Sequence, residues 1–153
     1  MSTIMPQART AALATAFETT DYYVQTGDEW HQVNIGAPCR EPMLRWLREH
    51  ATQPCAWLIT AHNPQARLCD AAENRRRDAA LKTCLDADGY TYVAATSRAR
   101  DGSWPAEPGV CITDMDEGTA RALAVRFGQV ALVAILPDGP AQLVWTDAPD
   151  ADG

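Results

Sequence analysis

The sequence predicts an α+β domain, in which a mixed, mostly antiparallel sheet packs with about four helices. Three observations predict this class. Segments with helix and strand patterns are intermingled along the chain. Several neighbouring strand segments are joined by turns too short for a parallel crossover. The continuous apolar run over 56–61 is typical of a strand that is buried on both faces. Such a sheet buries its apolar surface beneath helices.

Turn and capping residues divide the chain into eleven elements in the order α-β-β-α-β-α-β-β-α-β-β. Pro42 suits the first turn of a helix, where its missing N–H costs nothing. Asp70 is a good N-cap with Glu73 three residues on, as in a capping box, and Gly128 can end the last helix. The predicted helices span 6–19, 41–50, 70–86 and 116–127. The predicted strands span 22–25, 29–35, 56–61, 90–96, 110–113, 130–136 and 141–145.

Length and composition indicate one globular domain. The chain has 153 residues, of which 46% are hydrophobic and 22% are charged, and this is ordinary globular usage. We expect a single domain over 1–146 and a disordered acidic tail over 147–153. Residues 97–107, which contain Asp101-Gly102 and Pro105, are predicted to form a loop.

Charge and hydropathy argue against several classes of partner. The net charge of -7 disfavours binding to nucleic acid and to anionic lipid surfaces. No run approaches the roughly 20 apolar residues of a membrane span, and the first 20 residues lack a signal-peptide pattern. We therefore expect a cytoplasmic protein with no membrane segment. The five cysteines are odd in number and lack C-x-x-C spacing, so we expect free, mostly buried thiols, no metal site and no cofactor.

Asn63, directly after the apolar strand, is the first candidate functional residue, because loops at the ends of buried strands often carry functional groups. Pro64 should bias Asn63 toward an extended backbone and so aim its amide away from the strand. The alternative is a simple strand-ending turn, which Asn-Pro often makes.

A second candidate group lies at the start of the third helix. Asn74 and Arg77 continue the apolar stripe of that helix, so they should face the body of the protein. A guanidinium and an amide near a helix N-terminus suit a carboxylate or a phosphate. The alternative is that both lie in solvent at the rim. Glu73 can pair with Arg77, but its capping role already explains it.

Two further candidates lie nearer the C-terminus. Trp104 offers a flat stacking surface in the proline-rich loop, and Glu107 could act as a base, a metal ligand or a partner for an arginine. The alternative is a loop held down by its tryptophan. Gln129 starts a buried strand, where its amide needs a partner, either a loop backbone or a ligand.

Together these residues form an ordered set: Ile59-Thr60-Ala61-x-Asn63-Pro64, Glu73-Asn74-x-x-Arg77, Gly89, Trp104-x-x-Glu107-Pro108 and Phe127-Gly128-Gln129-x-Ala131. In this order the chain resembles the DUF3293 family of small bacterial proteins from about residue 22 to residue 145. The resemblance implies that all seven candidates belong to the family pattern: Asn63, Glu73, Asn74, Arg77, Trp104, Glu107 and Gln129. It also implies polar residues at three positions where this chain has Ala66, Gly109 and Val130.

Three functions remain open at this stage. The first is a binding or accessory protein for a small anionic metabolite, because amide, guanidinium and indole groups gather without an evident nucleophile. The second is an enzyme with Glu107 or Glu73 as general base and Arg77 as anion anchor. The third is a protein-interaction subunit of a larger assembly, with surface tryptophans such as Trp30 or Trp145 as anchors.

Overall fold

The computed structural model describes residues 11–146, and this part of the chain forms four α-helices and seven strands. The helices α1–α4 span Ala11–Glu18, Met43–His50, Ala71–Ala87 and Glu117–Arg126. The strands β1–β7 span Thr20–Thr26, Glu29–Val33, Ala56–Ile59, Tyr92–Ala99, Glu107–Ile112, Ala131–Ile135 and Gln142–Trp145. A 3-10 turn, Pro64–Ala66, lies between β3 and α3. The predicted tail and the first residues of the predicted first helix lie outside the described residues.

The strands form one sheet in the order β2-β1-β4-β5-β3-β6-β7, and all six neighbouring pairs are antiparallel. The predicted α+β class and the predicted order of elements are confirmed. The sheet consists of three hairpins, β1-β2, β4-β5 and β6-β7, with β3 inserted between the second and the third. All four residues of β3 are buried, as the apolar run indicated.

The two faces of the sheet carry different helices, because alternate residues of each strand point to opposite faces. On one face, α3 and α4 pack through Leu81, Leu85 and Leu123 against a core that includes Trp57 and Ile112. On the other face, α2 buries Met43 and Leu47 against Leu58 and Val133. On that same face, α1 packs through Leu13 and Phe17 against the start of β6. Helix α1 itself has no fully buried residue.

The β4-β5 hairpin is longer than predicted, and this moves Glu107 from a loop into a strand. Strand β4 continues to Ala99, and Ser97 pairs with Glu107. Pro108 lies beyond the paired part of β3, so β5 has a partner there only on its β4 side. A proline without an N–H is tolerated at such a position. The prediction of a loop over 97–107 was therefore wrong at both ends.

The cysteines and the helices bear on the other sequence expectations. All five cysteines are free, but only Cys111 is fully buried and the other four are half-buried, so the expectation of mostly buried thiols was wrong. None of the helices within 11–146 combines the length and the apolar character that crossing a bilayer requires.

The two tryptophans considered as interaction anchors differ in exposure. Trp30 is 48% exposed on the edge strand β2, whereas Trp145 packs edge-to-face on Phe17 with ring centroids 5.9 Å apart.

Candidate functional site

Asn63 is the centre of the loop that follows β3. Its side chain is only 3% exposed, and its backbone is left-handed, with φ 49° and ψ 61°. The expectation of an extended backbone before Pro64 was therefore wrong. Asparagine tolerates this conformation better than most residues, and the side chain is held by the hydrogen bonds described next. Gln65 and Ala66 also have positive φ, so three residues of this turn adopt a strained backbone.

The side chains of Asn63 and Asn74 form a buried amide pair. The Asn63 backbone N–H donates to Asn74 Oδ1 at 2.8 Å, and Asn74 Nδ2 donates back to Asn63 Oδ1 at 3.0 Å. The Cys69 N–H donates to the same Asn63 oxygen at 2.9 Å. These bonds satisfy the buried amides and fasten the β3-α3 loop to the start of α3. The prediction that Asn74 faces the body of the protein is confirmed.

Glu107 accepts the remaining donor of Asn63. Asn63 Nδ2 lies 2.8 Å from Glu107 Oε2, and Trp104 Nε1 donates to the same oxygen at 2.7 Å. From residues 11–146, Glu107 Oε1 therefore receives no hydrogen bond. Burial raises the pKa of the Glu107 carboxyl above its ordinary value of 4.5, and the bonds from Asn63 and Trp104 oppose this rise only in part.

Arg77 contacts two backbone carbonyls and one carboxylate from three different parts of the chain. Its Nε donates to the Ala61 carbonyl at 3.1 Å, and its Nη2 donates to the Phe127 carbonyl at 2.9 Å. Nη1 lies 3.7 Å from Glu73 Oε2. The planar guanidinium thus ties the end of β3 to the end of α4, a geometry for which arginine is well suited. The expectation that Arg77 faces the body of the protein is confirmed, but its donors are directed at protein carbonyls.

Glu73 lies on the outer side of this network. Asp70 caps α3 by accepting from the Glu73 N–H at 2.7 Å, as predicted. The Glu73 carboxylate is 2.7 Å from exposed Arg76. Its position on the surface of α3 therefore reflects capping and ion pairing.

Gln129 and Gly128 complete the network at the α4-β6 junction. Gln129 Nε2 donates to the His62 carbonyl at 3.1 Å, so it has the loop-backbone partner that the sequence analysis considered. Gly128 has φ +74°, and a Cβ at this position would lie 2.6 Å from Pro64 Cβ. The close approach of these two loops therefore requires glycine at 128.

A cavity of about 420 Å³ opens between the sheet, α1 and the β4-β5 loop. Its volume falls within the range of small-molecule sites. Of the seven predicted site residues, the structure places four in its lining: Asn63, Trp104, Glu107 and Gln129. The other three, Glu73, Asn74 and Arg77, do not line it. The structure thus separates the predicted set into residues that line the cavity and residues that lie outside its lining, two of which, Asn74 and Arg77, hold the loop that follows β3.

The lining of the cavity is largely apolar. Small residues, Ala95 and Ala131 among them, lie on the sheet side, and Leu13 and Phe17 of α1 lie opposite. Sequence reasoning missed the α1 residues and Tyr22, because an amphipathic helix and a strand tyrosine carry no signal that distinguishes a cavity wall from a filled core. Burial, together with the charge of Glu107, raises the pKa of the Tyr22 hydroxyl.

The three positions where polar residues were expected from the resemblance also lie in this lining: Ala66, Gly109 and Val130. The cavity of this chain is accordingly less polar than the resemblance implied. At Gly109 a Cβ would lie 2.5 Å from the Ile59 carbonyl oxygen. The close approach of β5 to β3 therefore excludes any side chain at 109 in the present backbone.

The charged groups of the lining are acidic. Glu107 and Asp101 line the cavity, and among the described residues that do so none is a lysine, arginine or histidine. Within 11–146 no group of three or more histidine, cysteine or acidic side chains is arranged to hold a metal ion. The cavity therefore offers negative charge, amides and aromatic rings to a ligand.

Residues 59–132 match the model of a family described as "Protein of unknown function (DUF3293)". Over these residues the chain is similar to the DUF3293 family, which confirms the resemblance seen in the sequence. The match contains all seven predicted site residues, whereas α1 and Tyr22 lie outside it. No curated protein and no solved structure matches the chain.

The raised pKa of Glu107 predicts how the stability of the protein changes with pH. Between pH 4.5 and the raised folded value, the folded state binds more protons than the unfolded state, so stability falls as pH rises through this window. Glu107→Gln carries no ionisable group there. We expect the free energy of unfolding of Glu107→Gln to rise relative to wild type from pH 4 to pH 7, measured by urea denaturation.

Glu49→Gln is the control for Glu107→Gln, because Glu49 is an exposed residue of α2. It removes one negative charge at a residue that does not line the cavity. A difference between Glu107→Gln and wild type that stays constant with pH, or that moves in the opposite direction, would contradict the assigned effect of burial.

Proposed function

We propose that this protein binds a small molecule with an apolar body in the cavity beneath α1. The observation that carries the proposal is the cavity itself, about 420 Å³ with mostly apolar walls. Its polar lining includes Glu107, Trp104 and Asn63, which are connected by hydrogen bonds. Cavities with apolar walls and a few convergent polar groups are typical of small-molecule sites.

The charges of the cavity support a different ligand from the anionic metabolite expected from the sequence. The expected anion anchor, Arg77, directs its Nε and Nη2 donors to the Ala61 and Phe127 carbonyls. Glu107 and Asp101 would repel an anion at the cavity. A neutral or cationic ligand therefore fits the described lining better than an anionic one.

The two other functions have less support. Glu107 has the buried setting of a general base, whereas Glu73 lies outside the cavity and is paired with Arg76. Within 11–146, the hydrogen bonds to the Glu107 carboxylate come from an amide and an indole, neither of which is a nucleophile. For a protein-interaction role, Trp30 is exposed, but Trp145 is occupied by Phe17. We therefore place ligand binding first.

A cavity-filling variant tests the proposal. Ala95 is 7% exposed and lines the cavity, so Ala95→Leu should remove volume that a ligand needs. We expect at least one of three probes, hexanol, hexylamine or hexanoate, to stabilise wild type. When the concentration of that probe is 100 times its dissociation constant, the free energy of unfolding should rise by about 2.7 kcal/mol. The same probe should not stabilise Ala95→Leu. Thermal denaturation and calorimetric titration measure the two effects.

Ala94→Leu is the matched control, since Ala94 is the preceding residue of the same strand but is exposed and outside the lining. It should bind the probe as wild type does. Ser97→Leu, a second lining variant, serves if Ala95→Leu does not fold. Failure of all three probes to bind wild type, or equal binding by Ala95→Leu and wild type, would reject the cavity as the ligand site.

A further inference from the structure

One wall of the cavity combines a carboxylate with aromatic rings. Glu107 pairs with Ser97 of β4, and Ser97 also pairs with Tyr22 of β1, so the three side chains lie in one row on one face of the sheet. The Trp104 indole is hydrogen-bonded to Glu107, and Phe17 of α1 also lines the cavity. Aromatic faces attract a cation through their quadrupole, and a carboxylate attracts it by charge.

The hydrogen bonds of Glu107 leave one oxygen for a ligand. Both donors within 11–146, Asn63 Nδ2 and Trp104 Nε1, act on Oε2. They fix the orientation of the carboxylate, because Asn63 is itself held by Asn74 and Cys69. A fixed carboxylate needs little ordering when a ligand binds, and this pre-organisation favours affinity.

Within 11–146 no basic side chain forms an ion pair with Glu107, and two arginines of neighbouring segments have other partners. The Arg100 guanidinium donates to Asp21 at 3.0 Å, and Arg77 donates to the Ala61 and Phe127 carbonyls. Asp101 adds a second negative charge to the lining. In the described structure, therefore, the partly buried carboxylate has no cationic partner, and a ligand could supply one.

We propose that the ligand is an organic amine, whose ammonium group binds Glu107 Oε1 beside Trp104 and Tyr22 while its apolar body occupies the space beneath α1. This proposal deepens the proposed function and rests on it. It excludes carboxylates and phosphates as preferred ligands of the cavity. Charge-assisted hydrogen bonds to an oriented carboxylate are among the stronger polar contacts in proteins.

Three probes with the same apolar body and different head groups test the proposal: hexylamine, hexanol and hexanoate. At pH 7 calorimetric titration should show the ammonium binding at least about tenfold more tightly than hexanoate. Glu107→Gln should weaken the ammonium about tenfold or more, and it should weaken hexanol by a smaller factor, because hexanol carries no charge to pair with the carboxylate. Glu49→Gln, on the surface of α2, should bind all three probes as wild type does.

The outcomes separate the two proposals. Hexanol or hexanoate binding as tightly as hexylamine, with loss of binding in Ala95→Leu, would leave the cavity as a ligand site and overturn the amine. Hexylamine binding that Glu107→Gln does not weaken would also overturn it. Binding of none of the three probes would reject the cavity site and the amine together.

Discussion

Asn63→Ala should destabilise the protein by about 4 kcal/mol, the largest effect of any substitution considered for this chain. The change removes three side-chain hydrogen bonds, which join Asn63 to Glu107, Cys69 and Asn74. It leaves partly buried polar groups without a partner, and each such group costs about 1–3 kcal/mol. Alanine also tolerates φ 49° less well than asparagine does. Urea denaturation at pH 7 measures the loss.

Asn63→Gly separates the backbone contribution from the hydrogen bonds. Glycine adopts positive φ without strain, so it should be more stable than Asn63→Ala by about 1 kcal/mol while still lacking the three side-chain bonds. A loss below about 1 kcal/mol for Asn63→Ala would mean that the amide network contributes little to the stability of the fold.

Arg77→Ala should cost about 3 kcal/mol, the second largest effect. The Ala61 carbonyl would lose its guanidinium donor, and the Phe127 carbonyl would keep only the bond from Gln129. Ala61 is fully buried, so water cannot easily replace the donor. Arg77→Lys should recover only part of the loss, because an ammonium cannot reproduce the fork of the guanidinium.

Arg75→Ala is the control, since Arg75 is an exposed arginine on the same helix. It should change the free energy of unfolding by less than about 0.5 kcal/mol. Arg77→Ala with wild-type stability and a lost affinity for anions would favour the anion anchor considered from the sequence. A large loss of stability would support the structural clamp that the two carbonyl contacts indicate.

Local signals in the sequence were sufficient to predict the helices and strands and their order. The N-cap Asp70, the glycine after α4 and the apolar run of β3 each act within a few residues, and the helices and strands follow in the predicted order. The ends of β4 and β5 were not predictable in the same way. They depend on the pairing of Ser97 with Glu107, which the prolines at 105 and 108 concealed.

Four of the seven candidate residues named from the sequence line the cavity, but their arrangement could not be predicted. Asn63, Asn74 and Glu107 meet because a loop after β3, the start of α3 and the start of β5 come together in space. Nothing in the local sequence specifies that Arg77 reaches two carbonyls rather than a ligand. The apolar walls depend on α1 lying over small residues of the sheet, a tertiary contact with no signature in the sequence.

The position of β3 in the sheet has a consequence for how the chain folds. The hairpins β1-β2, β4-β5 and β6-β7 can each form from neighbouring residues, whereas β3 pairs only with β5 and β6, both of which follow it much later in the chain. During synthesis the apolar segment Ala56–Ile59 therefore has no strand partner until residue 112 has emerged, and its second partner is complete only at residue 135. Non-local pairing of this kind slows folding and leaves apolar strands exposed to aggregation. Assembly of this sheet therefore requires the hairpins β4-β5 and β6-β7 to close around β3, a strand whose four residues are all buried.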